Sequence, residues 1–268
     1  MRNSFRQGIK RAASNFGLEV MTPRGKQDIE RGNLTVIEEY IRLLATTRGV
    51  QLAPSPNRSK LLSRLVGTGV GEGSHLVVSL AAVKDLLGDL CECGVGSGAT
   101  SALLANEVRG SGRTLWLYDT FAGLPAPTAE DELLDDIDHL GSMEAYTGRM
   151  SHSEAEMRSR MAEMGIDSGS FRVMRGLFDS TVTDDRLPER ICFAYVDFDF
   201  YAPIKTALEK LSPRLSPGGI IVVDDYGFFS KGAQTAVDEF VAENSNLFEL
   251  EVPGYCADHF AILHRTQA

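Results

Sequence analysis

The chain has 268 residues, of which 43% are hydrophobic, and it carries a formal net charge of −10 at pH 7. This length fits one α/β domain with additions, or at most two small domains. An acidic surface repels nucleic-acid phosphates, so we expect no nucleic-acid partner. No apolar run reaches about 18 residues, so we expect no membrane-spanning segment.

The cysteines indicate a reducing environment. Cys91 and Cys93 stand two residues apart, which is not a zinc-ligand spacing, and with Cys192 and Cys256 they show no disulfide framework. We therefore expect buried free thiols and a cytoplasmic location.

Residues 1–80 are predicted to form a helical region that precedes a domain at residues 81–268. Apolar side chains recur at helical spacing near the start, at Phe5, Ile9, Ala12 and Phe16. We favour a helix that packs on the body of the protein or on a second subunit, so a homodimer or higher homo-oligomer is expected. A helix on a membrane surface is the alternative.

A one-sided apolar stripe predicts an amphipathic helix over residues 30–44. A further helical pattern starts near Leu61. The four glycines of residues 67–73 are predicted to break it, and the pattern resumes over residues 75–87.

From residue 89 onwards, short apolar runs alternate with helical patterns. Strands are predicted at residues 90–93, 114–118, 171–174, 191–196 and 219–223, and helices at 100–108, 153–164, 202–211 and 233–243. This alternation predicts an α/β fold, a mostly parallel sheet with helices on both faces. A closing antiparallel strand pair is predicted at 248–252 and 260–264. In such sheets ligands bind where the parallel strands end.

The first predicted strand runs into a turn that contains Gly94, Gly96 and Gly98. Glycines let the backbone approach a ligand closely, and the N-terminus of the following helix offers free N–H groups. Glu92 before the turn and Thr100 after it complete this set of candidate cofactor contacts. The spacing also satisfies a loose dinucleotide fingerprint, so NAD and S-adenosylmethionine both fit the turn.

Two further strand ends predict cofactor contacts. Asp119 ends the second predicted strand, where a carboxylate can accept hydrogen bonds from a ribose diol, and Phe121 is placed to cover an adenine face. Gly176 and Phe178 follow the third predicted strand, in a loop that is expected to enclose the adenine ring.

Four aspartates follow the fourth and fifth predicted strands: Asp197 and Asp199, then Asp224 and Asp225. Carboxylates that converge without a counter-charge repel one another, so the cluster indicates a cation. Oxygen ligands alone favour Mg²⁺ over other divalent ions. A cation lowers the pKa of a hydroxyl group and a nearby carboxylate can take its proton, so methyl transfer to an alcohol is favoured over hydride transfer.

The acidic stretch of residues 126–142 is predicted to be a loop or lid whose acids form a solvated face. Contact with a cationic substrate such as an aminosugar is the alternative. His139 in this stretch is a second candidate for the base or for a substrate contact, although we favour a solvated residue.

The chain resembles the macrocin O-methyltransferase family over roughly residues 60–245. The resemblance rests on the motifs at residues 91–100, 118–125, 195–201 and 215–226. It implies a Rossmann-like class I methyltransferase that uses S-adenosylmethionine and Mg²⁺ to methylate a hydroxyl of a sugar or a glycosylated natural product.

The resemblance also implies roles for individual residues. Asp197, Asp224 and Asp225 would bind the metal, Asp199 would be the catalytic base, and Asp119 would hold the ribose. The roles of Asp197 and Asp199 remain interchangeable, so both are candidate catalytic residues.

The glycine turn and the first 60 residues depart from the family pattern, and the latter are expected to shape the pocket for a small-molecule acceptor. A catechol-like diol acceptor is the first alternative. An NAD-linked oxidoreductase and a non-catalytic protein that binds S-adenosylmethionine or metal are the others.

Overall fold

A seven-stranded sheet lies at the centre of the protein, for which the computed structural model describes residues 23–178, 182–254 and 259–267. Its strand order is β3-β2-β1-β4-β5-β7-β6. Strands β1 to β5 are parallel, and β7 and β6 close the sheet in antiparallel pairing. The strands are β1 (Asp89–Cys93), β2 (Leu115–Asp119), β3 (Phe171–Arg175), β4 (Ile191–Val196), β5 (Leu215–Val223), β6 (Phe248–Glu251) and β7 (Ala261–Arg265). The predicted mostly parallel sheet with an antiparallel closing pair is confirmed.

Seven α-helices flank this sheet in the described part of the chain: α1 (Pro23–Thr47), α2 (Arg58–Leu62), α3 (Val70–Ala82), α4 (Ala99–Glu107), α5 (Glu154–Glu163), α6 (Tyr201–Leu211) and α7 (Lys231–Glu243). Buried side chains of α1 to α5 pack with one face of the sheet, and those of α6 and α7 with the other. Cys91, Cys93 and Cys192 are buried free thiols, as predicted. No described helix is both long and apolar enough to cross a bilayer.

The sheet order reverses between β1 and β4. The chain runs outward from β1 to β2 and β3, then returns to place β4 on the other side of β1. Beyond the strand ends the amide of Asp197 donates to the carbonyl of Cys93 at 2.7 Å, so the two segments stay in contact. A crevice at such a reversal is the usual ligand site of open parallel sheets.

The glycine run of residues 67–73 does not break the helical pattern where the sequence predicted. Helix α3 begins at Val70 and includes Gly71 and Gly73, and it ends at Ala82, before the predicted end at residue 87. A Cβ on Gly73 would collide with the side chains of Leu65 and Leu62. The glycine is therefore explained by close packing against the segment before it, which a propensity argument cannot detect.

Two predictions about the N-terminal region stay open. The stripe at Phe5, Ile9, Ala12 and Phe16 lies outside the described residues. Helix α3 continues across the predicted boundary between residues 80 and 81 and packs on α4 and β5. The division into two parts therefore stays a prediction.

The acidic loop of residues 126–142 is not a uniformly solvated face, which corrects the prediction. Asp131 is only 5% exposed. Its Oδ1 accepts from the amide of Tyr201 at 2.8 Å and from Ser230 Oγ at 3.0 Å, and its Oδ2 accepts from the amide and hydroxyl of Thr128. This carboxylate therefore fastens the loop to the N-termini of α6 and α7, whereas Glu130 is exposed.

We expect Asp131→Ala to lower the free energy of unfolding by about 3 kcal/mol, because buried donors would lose a charged acceptor. Urea denaturation of the purified chain measures this change. Glu130→Ala removes an exposed acid from the same loop and should change stability by less than about 0.5 kcal/mol. Equal effects of the two substitutions would contradict the fastening role of Asp131.

Candidate active site

The turn after β1 has the backbone conformation that its glycines permit. Gly94, Gly96 and Gly98 all have positive φ, at 86°, 50° and 80°. A Cβ on Gly94 would collide with the carbonyl of Asp197, the residue after β4. A side chain is thus excluded at Gly94 both by its left-handed conformation and by the approach of the neighbouring strand end.

Asp119, at the end of β2, is bonded to this turn. Its Oδ2 accepts from the amides of Val95 at 2.7 Å and Gly96 at 3.0 Å, and its Oδ1 accepts from the amide of Phe121 at 2.6 Å. The carboxylate therefore organises the glycine turn. Its predicted contact with a ribose diol stays a prediction, and a carboxylate has acceptor capacity beyond these three bonds.

Glu92 and Thr100 bond to each other beneath the turn. Thr100 Oγ1 donates to Glu92 Oε1 at 2.5 Å, so the hydroxyl is used within the protein. Glu92 is fully buried and no described residue hydrogen-bonds its Oε2. Burial raises the pKa of Glu92 to about 8, against the lowering effect of the neighbouring hydroxyl groups of Ser101 and Thr100.

The aromatic residues predicted to enclose an adenine ring occupy different environments. Phe121 is half-buried, with a φ of 53°, and packs against the core on one face of the sheet. Phe178 is 4% exposed and lies edge-on to Tyr118 and Phe198 within the core of the other face. The amide of Gly176 donates to the carbonyl of Asp119 at 3.0 Å, so the loop after β3 starts beside the end of β2.

Three of the four predicted aspartates meet at the edge of the sheet. Asp197, Asp199 and Asp225 each offer a carboxylate oxygen, and these oxygens lie within 4.8 Å of one another. Asp199 and Asp225 adopt left-handed backbone conformations, with φ of 60° and 58°. Such conformations of non-glycine residues cluster at functional sites. Oxygen ligands at this spacing fit a divalent cation such as Mg²⁺.

Asp224 is placed differently from the other three. Its Oδ2 accepts from the hydroxyl of Tyr195 at 2.7 Å, and its Oδ1 accepts from the amide of Asp225 at 2.8 Å. The geometric group of three does not include it. Its predicted role as a metal ligand stays a prediction, and the structure shows it between Tyr195 on β4 and the backbone of Asp225.

The sequence analysis missed a fifth carboxyl group at this site. Glu72, in the first turn of α3, is 1% exposed and its carboxyl group lies beside Asp224 and Tyr195, while its Oε1 has no hydrogen-bond partner among the described residues. The sequence did hold a signal, because Glu72 is the only acid in the otherwise apolar and small-residue stretch between Arg64 and Lys84. His139, the alternative base, is exposed and is not in the carboxylate group.

Burial and mutual repulsion raise the pKa values of three of these acids, Asp197, Asp199 and Glu72. The pKa of Asp197 is raised well above its ordinary value by burial and then by Asp224, Asp199 and Asp225. Burial and the nearby Asp224 raise the pKa of Asp199 to about 7. The pKa of Glu72 is also raised, first by burial and then by Asp224 and Asp197. A cation would relieve this repulsion, as would bound protons.

The comparisons with known proteins agree on one family. The family model described as macrocin O-methyltransferase matches residues 70–262. Among curated proteins, the chain is 28% identical to a tetracenomycin 4'-O-methyltransferase that modifies a rhamnosyl derivative, from Streptomyces olivaceus, over 61% of this chain and 67% of that protein. It is 31% identical to mycinamicin III 3''-O-methyltransferase from Micromonospora griseorubida, over 52% of this chain and 55% of that protein.

Solved structures show the same fold. The O-methyltransferase NovP superposes with a TM-score of 0.64 at 23% identity, covering 87% of this chain and 98% of that one. The calicheamicin methyltransferase CalS11 superposes with a TM-score of 0.57 at 21% identity, covering 91% of this chain and 94% of that one. The fold is therefore that of class I methyltransferases, as predicted.

We expect the stability of the cation-free protein to depend on pH through Asp199. Its pKa is about 7 in the folded state and 3.8 in the unfolded chain, so between these values the folded state holds more protons than the unfolded chain. The stabilising contribution of the protonated form is complete below about pH 4 and is lost as the pH rises through about 7. Urea denaturation in EDTA at pH 5 and pH 8 should show a smaller pH difference for Asp199→Asn than for the wild type. An unchanged difference would place the responsible proton elsewhere.

Proposed function

We propose that this chain, which belongs to the macrocin O-methyltransferase family, methylates a hydroxyl of a sugar or a glycosylated natural product with the help of a divalent cation. The family match over residues 70–262 carries the methyltransferase activity and its use of S-adenosylmethionine. The names of the two curated relatives above indicate glycosylated acceptors, and this supports the same acceptor class here. The NAD-linked alternative is not retained, because it conflicts with the family.

The glycine turn and its surroundings are our candidate binding site for S-adenosylmethionine. The turn lies at the reversal of the sheet order, beside the end of β4 that carries Asp197 and Asp199. A cofactor over the turn would therefore present its methyl group near the carboxylates. The candidate contacts remain those predicted from the sequence: Glu92, Gly94, Gly96, Gly98, Thr100, Asp119, Phe121, Gly176 and Phe178.

The carboxylates are our candidate cation site. Asp197 and Asp225 belong to the group whose oxygens lie within 4.8 Å, and Asp224 remains a candidate ligand beside them. When bound there, Mg²⁺ would lower the pKa of an acceptor hydroxyl and orient it. The half-buried, mutually repelling acids support a cation, because each carboxylate is otherwise ionised at a cost.

Asp199 is our candidate for the catalytic base, with the roles of Asp197 and Asp199 still interchangeable. In the transfer, Asp199 takes the hydroxyl proton on a carboxylate oxygen as the acceptor oxygen forms a bond to the methyl carbon. S-adenosylmethionine would supply the methyl group, and its sulfur would keep the electron pair of the broken carbon–sulfur bond, which would leave S-adenosylhomocysteine. A carboxyl group with a pKa near 7 is well matched to accept a proton at neutral pH.

A catechol-like diol is the alternative acceptor, because two vicinal oxygens would chelate a cation at the same carboxylates. A non-catalytic binding protein is less favoured, since a binding module has no chemical use for converging acids. An acceptor screen with sugar nucleotides, glycosylated macrolides and catechols separates these three functions by the product formed.

We also propose a homodimer that uses α1. This helix exposes Ile29, Val36 and Leu43 at seven-residue spacing, with 51%, 69% and 59% of each residue accessible. An apolar seam of this period is typical of helix pairing. Sedimentation velocity of the purified chain tests the proposal, and a monomer at micromolar concentration would contradict it.

We expect Asp197→Asn to abolish stimulation of turnover by Mg²⁺ while S-adenosylmethionine still binds. The substitution removes one charged cation ligand but leaves the glycine turn intact. Turnover with Mg²⁺ or EDTA, together with calorimetric titration of S-adenosylmethionine, measures both effects. NAD serves as the control ligand and should not bind. Equal wild-type turnover in Mg²⁺ and EDTA would disprove the metal role.

We expect Asp199→Asn to lower kcat by about 10²-fold or more, the usual contribution of a general base. The affinity for Mg²⁺ should fall less than in Asp197→Asn if Asp199 is the base rather than a ligand. Single-turnover kinetics with a saturating acceptor measures the chemical step. If the variant keeps wild-type kcat, the base lies elsewhere, and His139→Ala becomes the next variant to assay.

A further inference from the structure

Glu72 is a buried acid that the proposed transfer does not use. It lies in the first turn of α3, outside the strand ends that carry the other acids, and only 1% of it is exposed. A buried carboxyl group costs free energy unless its polar atoms find partners. Its Oε1 nevertheless has no hydrogen-bond partner among the described residues. Such a group needs an explanation in terms of what it contacts.

The contacts of Glu72 lead to the aspartates. Its carboxyl group lies beside Asp224 and Tyr195. The Tyr195 hydroxyl donates to Asp224 Oδ2 at 2.7 Å, and Thr68 Oγ1 lies 3.4 Å from the same hydroxyl. Asp224 is thus held from the side of α3 by Glu72 and from β4 by Tyr195.

Asp224 in turn fixes the next residue. Its Oδ1 accepts from the amide of Asp225 at 2.8 Å, and Asp225 is held in a left-handed conformation with φ of 58°. Asp225 belongs to the group of three carboxylates. The path from Glu72 to the candidate cation site therefore has two steps, the contact between the carboxyl groups of Glu72 and Asp224 and the hydrogen bond from the Asp225 amide to Asp224.

We propose that Glu72 is a positioning residue of the cation site, which holds the Asp224 carboxylate against Tyr195 and thereby fixes the orientation of Asp225. This role rests on the proposed cation dependence and extends it to the N-terminal helical region. The residue does not touch the cation in this scheme. Replacing a residue that contacts the metal ligands but not the metal typically changes metal affinity by about 10- to 100-fold.

The packing of α3 supports this role. Gly73, the next residue, has no space for a Cβ because Leu62 and Leu65 lie against it. The first turn of α3 is therefore pressed onto the segment before it, and His75 one turn later packs edge-on to Phe260. Glu72 therefore approaches Asp224 from a helix that packs closely on its neighbours, as precise positioning requires.

Mn²⁺ binding tests the role without any need for an acceptor. Glu72→Leu removes the carboxyl group at similar volume, whereas Glu72→Gln keeps the shape and supplies an N–H donor to Asp224. Ser74→Ala is the matched control, because Ser74 is buried in the same helix and its hydroxyl donates only to the carbonyl of Val70 at 2.7 Å. Electron paramagnetic resonance measures free Mn²⁺, and calorimetry measures S-adenosylhomocysteine binding on the same samples.

We expect Glu72→Leu to weaken Mn²⁺ binding by about 10-fold or more, with the affinity for S-adenosylhomocysteine unchanged. Glu72→Gln should restore most of the Mn²⁺ affinity, and Ser74→Ala should match the wild type. If Glu72→Leu does not fold, Tyr195→Phe is the second variant. It removes the hydrogen bond from the Tyr195 hydroxyl to Asp224 and should also weaken Mn²⁺ binding.

Three results would overturn the role. Wild-type Mn²⁺ affinity in a folded Glu72→Leu variant would show that Asp224 does not need Glu72, and if that variant does not fold, wild-type affinity in Tyr195→Phe would show that Asp224 needs no support. Equal losses in Glu72→Gln and Glu72→Leu would make Glu72 a direct ligand, and a parallel loss of S-adenosylhomocysteine binding would make it a general structural residue. If the wild type binds S-adenosylhomocysteine but no Mn²⁺, the cation dependence itself fails, and the role fails with it.

Discussion

Repulsion between closely spaced, half-buried or buried carboxyl groups is the constraint on which the rest of this site depends. Asp197, Asp199, Asp224 and Asp225 follow two neighbouring parallel strands, and Glu72 approaches them from a helix. Burial raises the free energy of each ionised form, and every neighbour raises it further. The cluster can exist only with bound protons, with a cation, or with both in exchange. The same repulsion between carboxylates therefore favours proton binding, which a catalytic base needs, and cation binding.

The backbone around the cluster allows little movement. Gly94 has no space for a Cβ because the carbonyl of Asp197 lies against it, and the amide of Asp197 donates to Cys93. The glycine turn and the first aspartate are therefore fixed relative to each other by the sheet. In the proposed function, this rigidity is what places the methyl donor and the base within one reaction geometry.

The N-terminal helices are integrated with this rigid body. Arg58 after the first loop pairs with Glu107 at the end of α4 at 2.5 Å, with both side chains largely buried. Arg48 pairs with Glu251 on β6, which also bonds His264 on β7. Burial and the nearby Arg48 lower the pKa of His75 on α3 to about 4, so this histidine is neutral near pH 7. The residues before the family match thus pack against α4 and the closing strands, whereas Glu72 lies within the match and reaches the carboxylates from α3.

The sequence by itself determined the elements whose residues carry a local signal. Apolar runs located the strands, with β4 predicted at its observed bounds, and the pairs of aspartates after β4 and β5 indicated a shared edge because parallel strands end on the same side. Family motifs identified the methyltransferase.

Tertiary structure alone decided which polar groups meet, because contacts between distant segments depend on packing and not on local pattern. Thr100 turns towards Glu92, and Asp131 is buried although its loop was predicted to be solvated. Asp224 lies apart from the group formed by the other three aspartates. Tertiary structure also brought Glu72, 125 residues away in the sequence from Asp197, to the carboxylates, because the close packing at Gly73 presses the first turn of α3 against its neighbours.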